Sequence, residues 1–109
     1  MRSDADALAD PAVRKRLLRL PRPTLGPITD YTLFMRYDDN AAAIIVYHLE
    51  VALLAFPDGW LHMEQSPDGV LVKFCRLSWA DDQWAGGQFP SRLEGLLAAC
   101  ETMEVTSER

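Results

Sequence analysis

Apolar residues recur along this chain with two different periods, and the changes of period mark out its elements. Over 10–21, "DPAVRKRLLRLP", Val13, Leu17 and Leu20 fall at i, i+4 and i+7, the spacing of one helical face, with Lys15, Arg16 and Arg19 away from it. Asp10 suits the N-cap and Pro11 the first helical position, where a missing N–H costs nothing; Pro21 ends the segment. At the other end, "FPSRLEGLLAACETMEV" places Leu93, Leu96, Leu97, Cys100 and Met103 on one stripe. Ser91 and Glu94 there form an S-x-x-E capping box, and Gly95, ~1 kcal/mol worse than alanine in a helix, marks close packing.

Between these helices the period shortens. "TLFMRY" (32–37), "WLHMEQ" (60–65) and "VLVKFCRLSW" (70–79) read as strands, "PRPTLGP" as a stiff connector and "ADDQWAGGQFP" as a loop. The stretch 41–56, "AAAIIVYHLEVALLAF", fits both periods. As a helix it would be apolar nearly all round, awkward for a small domain. As a strand its odd positions (Ala43, Ile45, Tyr47, Leu49, Val51, Leu53) are wholly apolar, while the even ones carry His48 and Glu50. A strand is the expectation; a helix over 41–55, capped by Asp39 or Asn40, is the alternative.

Pro-Asp-Gly occurs twice, at 57–59 and 67–69. Proline presets φ, aspartate suits the next position and glycine takes a left-handed conformation, so each copy predicts a three-residue hairpin loop with a bulge. Phe56 then faces Trp60, Ser66 faces Val70, and even-numbered residues share one face of the sheet. The odd face, with Leu33, Met35, Leu61, Met63, Leu71, Cys75 and Leu77, forms a core covered by the two terminal helices. The expected fold class is α+β: a two-layer domain with an antiparallel meander of about four strands, in the order α-β-β-β-β-α. The alternative order, α-β-α-β-β-α, has 41–55 helical. The division is a single domain with a basic amphipathic helix segment at 1–22, a Pro-rich connector at 23–30, sheet at 31–79, a loop at 80–90, a helix at 91–105 and a tail at 106–109.

Composition changes this picture little. The 109 residues, 49% hydrophobic, suffice for one domain with a real core. Cys75 and Cys100 make neither a disulfide framework nor a zinc spacing, and read as buried thiols. Neither a signal-peptide h-region nor a bilayer-length apolar run occurs, which makes the cytoplasm the expected location and a membrane an unexpected partner. Residues 1–22 hold Arg2, Arg14, Lys15, Arg16, Arg19 and Arg22 against Asp4, Asp6 and Asp10, a net of +3, so the chain's −5 leaves −8 beyond them. An acidic body argues against direct nucleic-acid binding, and the basic segment is expected to lie on that body.

The candidate binding surface is the even face: Phe34, Phe56, Trp60, His62, Phe74 and Arg76 put large aromatics among charges where a solvated sheet face carries few. A second core layer in a small closed barrel, or cover by 80–90 with Trp84, is the competing explanation. Both histidines sit in H-x-E settings, His48 with Glu50 and His62 with Glu64, but as strand residues they would lie about 20 Å apart, too far to share a metal. Nucleophile elbows, phosphate loops and dinucleotide fingerprints do not occur.

The reading is of a non-enzymatic protein-binding module, chaperone-, adaptor- or inhibitor-like, with no cofactor and no metal, acting as a homodimer or on a protein partner through the even face. A small metal-dependent or acid–base enzyme using the two H-x-E segments is one alternative, and an acidic decoy that inhibits a nucleic-acid-handling protein is another. No motif identifies a family. The helix, antiparallel sheet and closing helix of a small acidic chain are loosely similar in layout to bacterial type III secretion chaperones.

Overall fold

The computed structural model describes residues 2–20, 38–80 and 83–107. The Asp10 carboxylate accepts the Ala12 N–H at 2.9 Å and starts the predicted N-terminal helix, which spans Pro11–Arg19 and buries Val13 and Leu17. We label it α2, because a helical turn and a half precedes it: α1, Asp4–Ala9, opens on the Ser3 hydroxyl, which accepts the Asp6 N–H at 3.1 Å, and buries Ala7 and Leu8.

The ambiguous stretch is a helix, not the strand expected from its alternation. It forms α3, Asp39–Leu54, and its N-cap is Asp38, whose side chain accepts the Ala41 N–H at 2.8 Å. A run this long exceeds an ordinary strand of a small sheet, whereas a helix satisfies its backbone internally. Packing then overrides the β-branched propensity, since Ala41, Ala42, Ile45, Val46, Leu49 and Leu53 are buried on the face that meets α1 and the C-terminal helix.

Three strands follow: β1, Gly59–Ser66; β2, Gly69–Arg76; and β3, Ala85–Phe89, antiparallel in the order β1-β2-β3. The expected strand at 32–37 lies outside the described residues. β3 replaces part of the loop predicted at 80–90. Its glycines hid it, because Gly-Gly lacks the side chains that signal a strand. At Gly86 the φ is +112°, and a Cβ there would lie 2.1 Å from the Val72 carbonyl oxygen, so β3 approaches β2 as only glycine allows.

Both Pro-Asp-Gly copies are turns, yet neither is the bulged hairpin expected. The first links α3 to β1, with the Gly59 N–H donating to the Phe56 carbonyl at 3.0 Å. The second is a two-residue loop of Pro67 and Asp68, after which Gly69 (φ +145°) already pairs with Ser66. One residue less in the loop shifts the register by one, so even positions of β1 share a face with odd positions of β2. Trp60 therefore opposes Cys75, His62 opposes Lys73 and Glu64 opposes Leu71. Val70, Val72 and Phe74 turn inward with Ala85, whereas Leu71 and Cys75, expected in the core, are half-buried on the opposite side. Leu77, also expected in the core, is exposed.

The chain closes with α4, Arg92–Ser107, lying on β2 and β3 beside α3. Gly95 sets the distance, for a Cβ at this position would come within 2.4 Å of Val72 Cγ2. At its start the Ser91 hydroxyl accepts the Glu94 N–H at 3.2 Å and donates to Glu94 Oε2 at 2.7 Å. Arg2 clamps the same carboxylate, Nη2 to Oε1 at 2.5 Å and Nε to Oε2 at 3.1 Å. Arg16 pairs with Glu101, and Arg92 of α4 with Asp4 at 3.0 Å, so the N-terminal helices are tied to α4 by charge as well as by apolar packing. The architecture is α+β, with a three-stranded antiparallel sheet carrying helices on one side. No helix among the described residues is long and apolar enough to cross a membrane.

Candidate functional site: the open face of the sheet

With α3 and α4 on one side of the sheet, the alternation of each strand sends a second set of side chains to the other. β1 contributes Trp60, His62 and Glu64; β2 contributes Leu71, Lys73 and Cys75; β3 contributes Gln88. Trp84, immediately before β3, joins them, because its ring centroid lies 5.4 Å from Lys73 Nζ. Trp60 retains 50% and Trp84 42% of its accessible surface. Leu71, Lys73 and Cys75 are half-buried between these two edges. The charges on the face are few: Lys73, Glu64 and, when protonated, His62, whose Nε2 stands 3.9 Å from Glu64 Oε2.

The six residues expected to form one surface are divided by the register. Trp60 and His62 are on the open face. Phe74 is fully buried on the other side, its ring 6.0 Å from that of Phe56 and edge-on to Trp79 at 6.3 Å. Arg76 covers the Phe56 ring at 4.8 Å, and its Nε donates to Asp58 Oδ1 at 2.9 Å. Hydrogen bonding from Arg76, and then from Ser78, holds the Asp58 carboxyl below the usual carboxylate range. Phe56, Phe74 and Arg76 thus close the corner between α3 and the sheet and leave the proposed surface. Phe34 lies outside the described residues. Trp84 is the residue the alternation missed, because a tryptophan beside Gly-Gly looks like loop until β3 is seen.

The candidate catalytic residues among the described ones lie as follows. His48 stacks edge-on against Tyr47 with ring centroids 5.5 Å apart. The helical form of 39–54 removes the strand separation between the two H-x-E segments, yet among the described residues no three His, Cys, Asp or Glu side chains gather to hold a metal ion. Cys100 is buried, its Sγ 3.7 Å from the Leu49 carbonyl oxygen. An open cleft is lined by Arg2, Asp4, Ala42, Met63, Glu64 and Arg92, with Arg2 committed to Glu94 and Asp10 and Arg92 to Asp4.

No family model, curated protein or solved structure matches this chain. Among the described residues, the open face carries two indoles, an aliphatic chain and a thiol beside the Lys73 ammonium, the Glu64 carboxylate, the His62 imidazole and the Gln88 amide.

Proposed function

We propose that this protein is a non-enzymatic binding module, chaperone-, adaptor- or inhibitor-like, that receives a protein partner on the open face of its sheet. The observation that carries this reading is the pair of half-exposed tryptophans, Trp60 and Trp84, at the two margins of the sheet face opposite α3 and α4. Tryptophan is among the residues that dominate interface energetics, and each exposed ring here loses water when a partner covers it. Leu71 and Cys75 supply an apolar floor between them, and Lys73 and Glu64 give the face polarity enough to orient what binds.

The test uses the whole chain as bait in extract of its source cells, beside Trp60→Ala and Trp84→Ala baits of unchanged thermal midpoint. A protein held by the wild type and lost by both variants, then reconstituted from purified components with a tryptophan-fluorescence change, is the expected result. Proteins held equally by all three baits would sink the proposal.

A further inference from the structure

The outer side of α3 carries a stripe of large apolar side chains that stand exposed. Ile44 is 42% exposed, Tyr47 62%, Val51 45% and Leu54 55%, and together they form one line directly opposite the buried face of the helix. Their spacing of three, four and three residues is that of a coiled-coil seam. We infer that this stripe is the seat of a second copy of the chain, packed antiparallel along α3.

Symmetry argues for that occupant. Ile44 and Leu54 are equidistant from Leu49, and so are Tyr47 and Val51. Turned end for end about position 49, the stripe therefore meets itself, Ile44 against Leu54 of the second copy and Tyr47 against Val51 of the second copy. Each large side chain then faces a different, complementary one, whereas a parallel pair would set Tyr47 against Tyr47. A two-fold pair demands this self-complementarity, and a binding site for an unrelated protein does not. Along α3 itself the ionisable residues nearest the seam are His48 and Glu50, each about a quarter turn from it on opposite flanks, where both stay in reach of water. A chain of net charge −5 thus keeps its seam uncharged, as the centre of an interface requires.

Area places the contact among interface size classes. The four side chains expose roughly 400 Å² per copy, so with their immediate flanks a pair buries about 1,000 Å², near the low end for specific interfaces. An interface of this size is expected to be one that dissociates on dilution, and its affinity is read from the concentration series below. The stripe and the open sheet face share no residue, so substitutions in one leave the other intact and this inference is tested separately from the proposed function.

The experiment is sedimentation velocity on the full chain from about 5 to 500 μM, the span over which a micromolar dimer assembles. The mass is expected to rise from 12.3 kDa toward twice that value. Tyr47→Lys and Val51→Glu should each be monomeric throughout, and an equimolar mixture of the two should dimerise again. In the antiparallel pair Lys at 47 meets Glu at 51 of the other copy while native Val51 meets native Tyr47; a parallel pair gains neither contact. Tyr47→Ala, expected to weaken the dimer at least tenfold, carries the test if a charged variant lowers the thermal midpoint. A wild type that stays monomeric to the highest concentration, a dimer indifferent to these substitutions, or a mixture that fails to recover would each overturn the inference. The first of these outcomes would assign the stripe to another segment of the chain or to a different protein.

Discussion

At Gly95 the absence of a single methyl group decides how closely α4 lies on the sheet. Its exceptional status was legible in the sequence, because a glycine inside an otherwise well-signalled helix needs a packing reason, but its neighbour was not: only the fold brings Val72 against it. Alanine would recover about 1 kcal/mol of helix propensity and lose more to overpacking, so Gly95→Ala should destabilise the protein by about 1–2 kcal/mol in urea titrations. Val72→Ala costs stability by itself, yet it makes room for that methyl, so the double variant should be less destabilised than the two single effects combined. A Gly95→Ala protein as stable as the wild type would refute the close approach. Phe74 shows the opposite limit of residue-scale reading. Its aromatic character was plain, but whether it belonged to the core or to a surface depended on a register that no single residue reveals.

Among the elements, α2 and α4 were the most legible, whereas α1 and α3, opened by Ser3 and Asp38, were not read from their caps. Asp10 with Pro11, and Ser91 with Glu94, act where the sequence put them, because capping is a contact between residues two or three apart. α3 and β3 were misread for one reason in two forms. A segment apolar on both sides has no period to choose by, and a segment of glycines has no side chains to choose by. For β3 the choice is made by Gly86, held at φ +112° with its backbone against Val72. Gly86→Ala should therefore cost at least about 2 kcal/mol and expose the β3 amides to hydrogen exchange, while Gln88→Ala on the open face should stay within about 0.5 kcal/mol. Equal effects from the two would mean that β3 is not held as described. The hairpin register turns on the Pro67–Asp68 loop, where the same tripeptide serves a two-residue or a three-residue connection and the inward packing of Val70, Val72 and Phe74 selects the first.

For the molecule as a whole, opposite charges were divided along the chain before folding and are brought together by it: Arg2 meets Glu94 and Arg16 meets Glu101. Among the described residues, hydrogen bonding holds two carboxyls below their ordinary range, Asp10 through the Ala12 N–H and then Arg2, and Asp58 through Arg76. A carboxyl depressed by folding contributes stability that is fully present above the unfolded-state value and lost as pH falls through the folded one. The urea midpoint should thus be flat from neutrality down to about pH 5 and fall below about pH 4, the ordinary carboxylate range. Asp58→Asn should lower the midpoint at neutral pH and soften that acid-side fall. An acid limb of unchanged steepness in this variant would remove Asp58 from the account.

What the sequence determined by itself was local: where α2 and α4 begin, which tripeptides turn, that a strand pair follows the middle apolar segment, and that the chain is acidic beyond its basic start. These features depend on contacts a few residues apart, which the order of residues states directly. What only the tertiary structure decided was which side of each element faces inward. The apolar run at 39–54 became a helix because α1, α4 and β1 are there to cover one of its faces, and the other face was left as a stripe. The sheet acquired an open face bearing Trp60 and Trp84 because one residue of loop length set the parity of two strands. Parity and coverage are properties of elements packed against one another, and burial assigns them only when those elements meet.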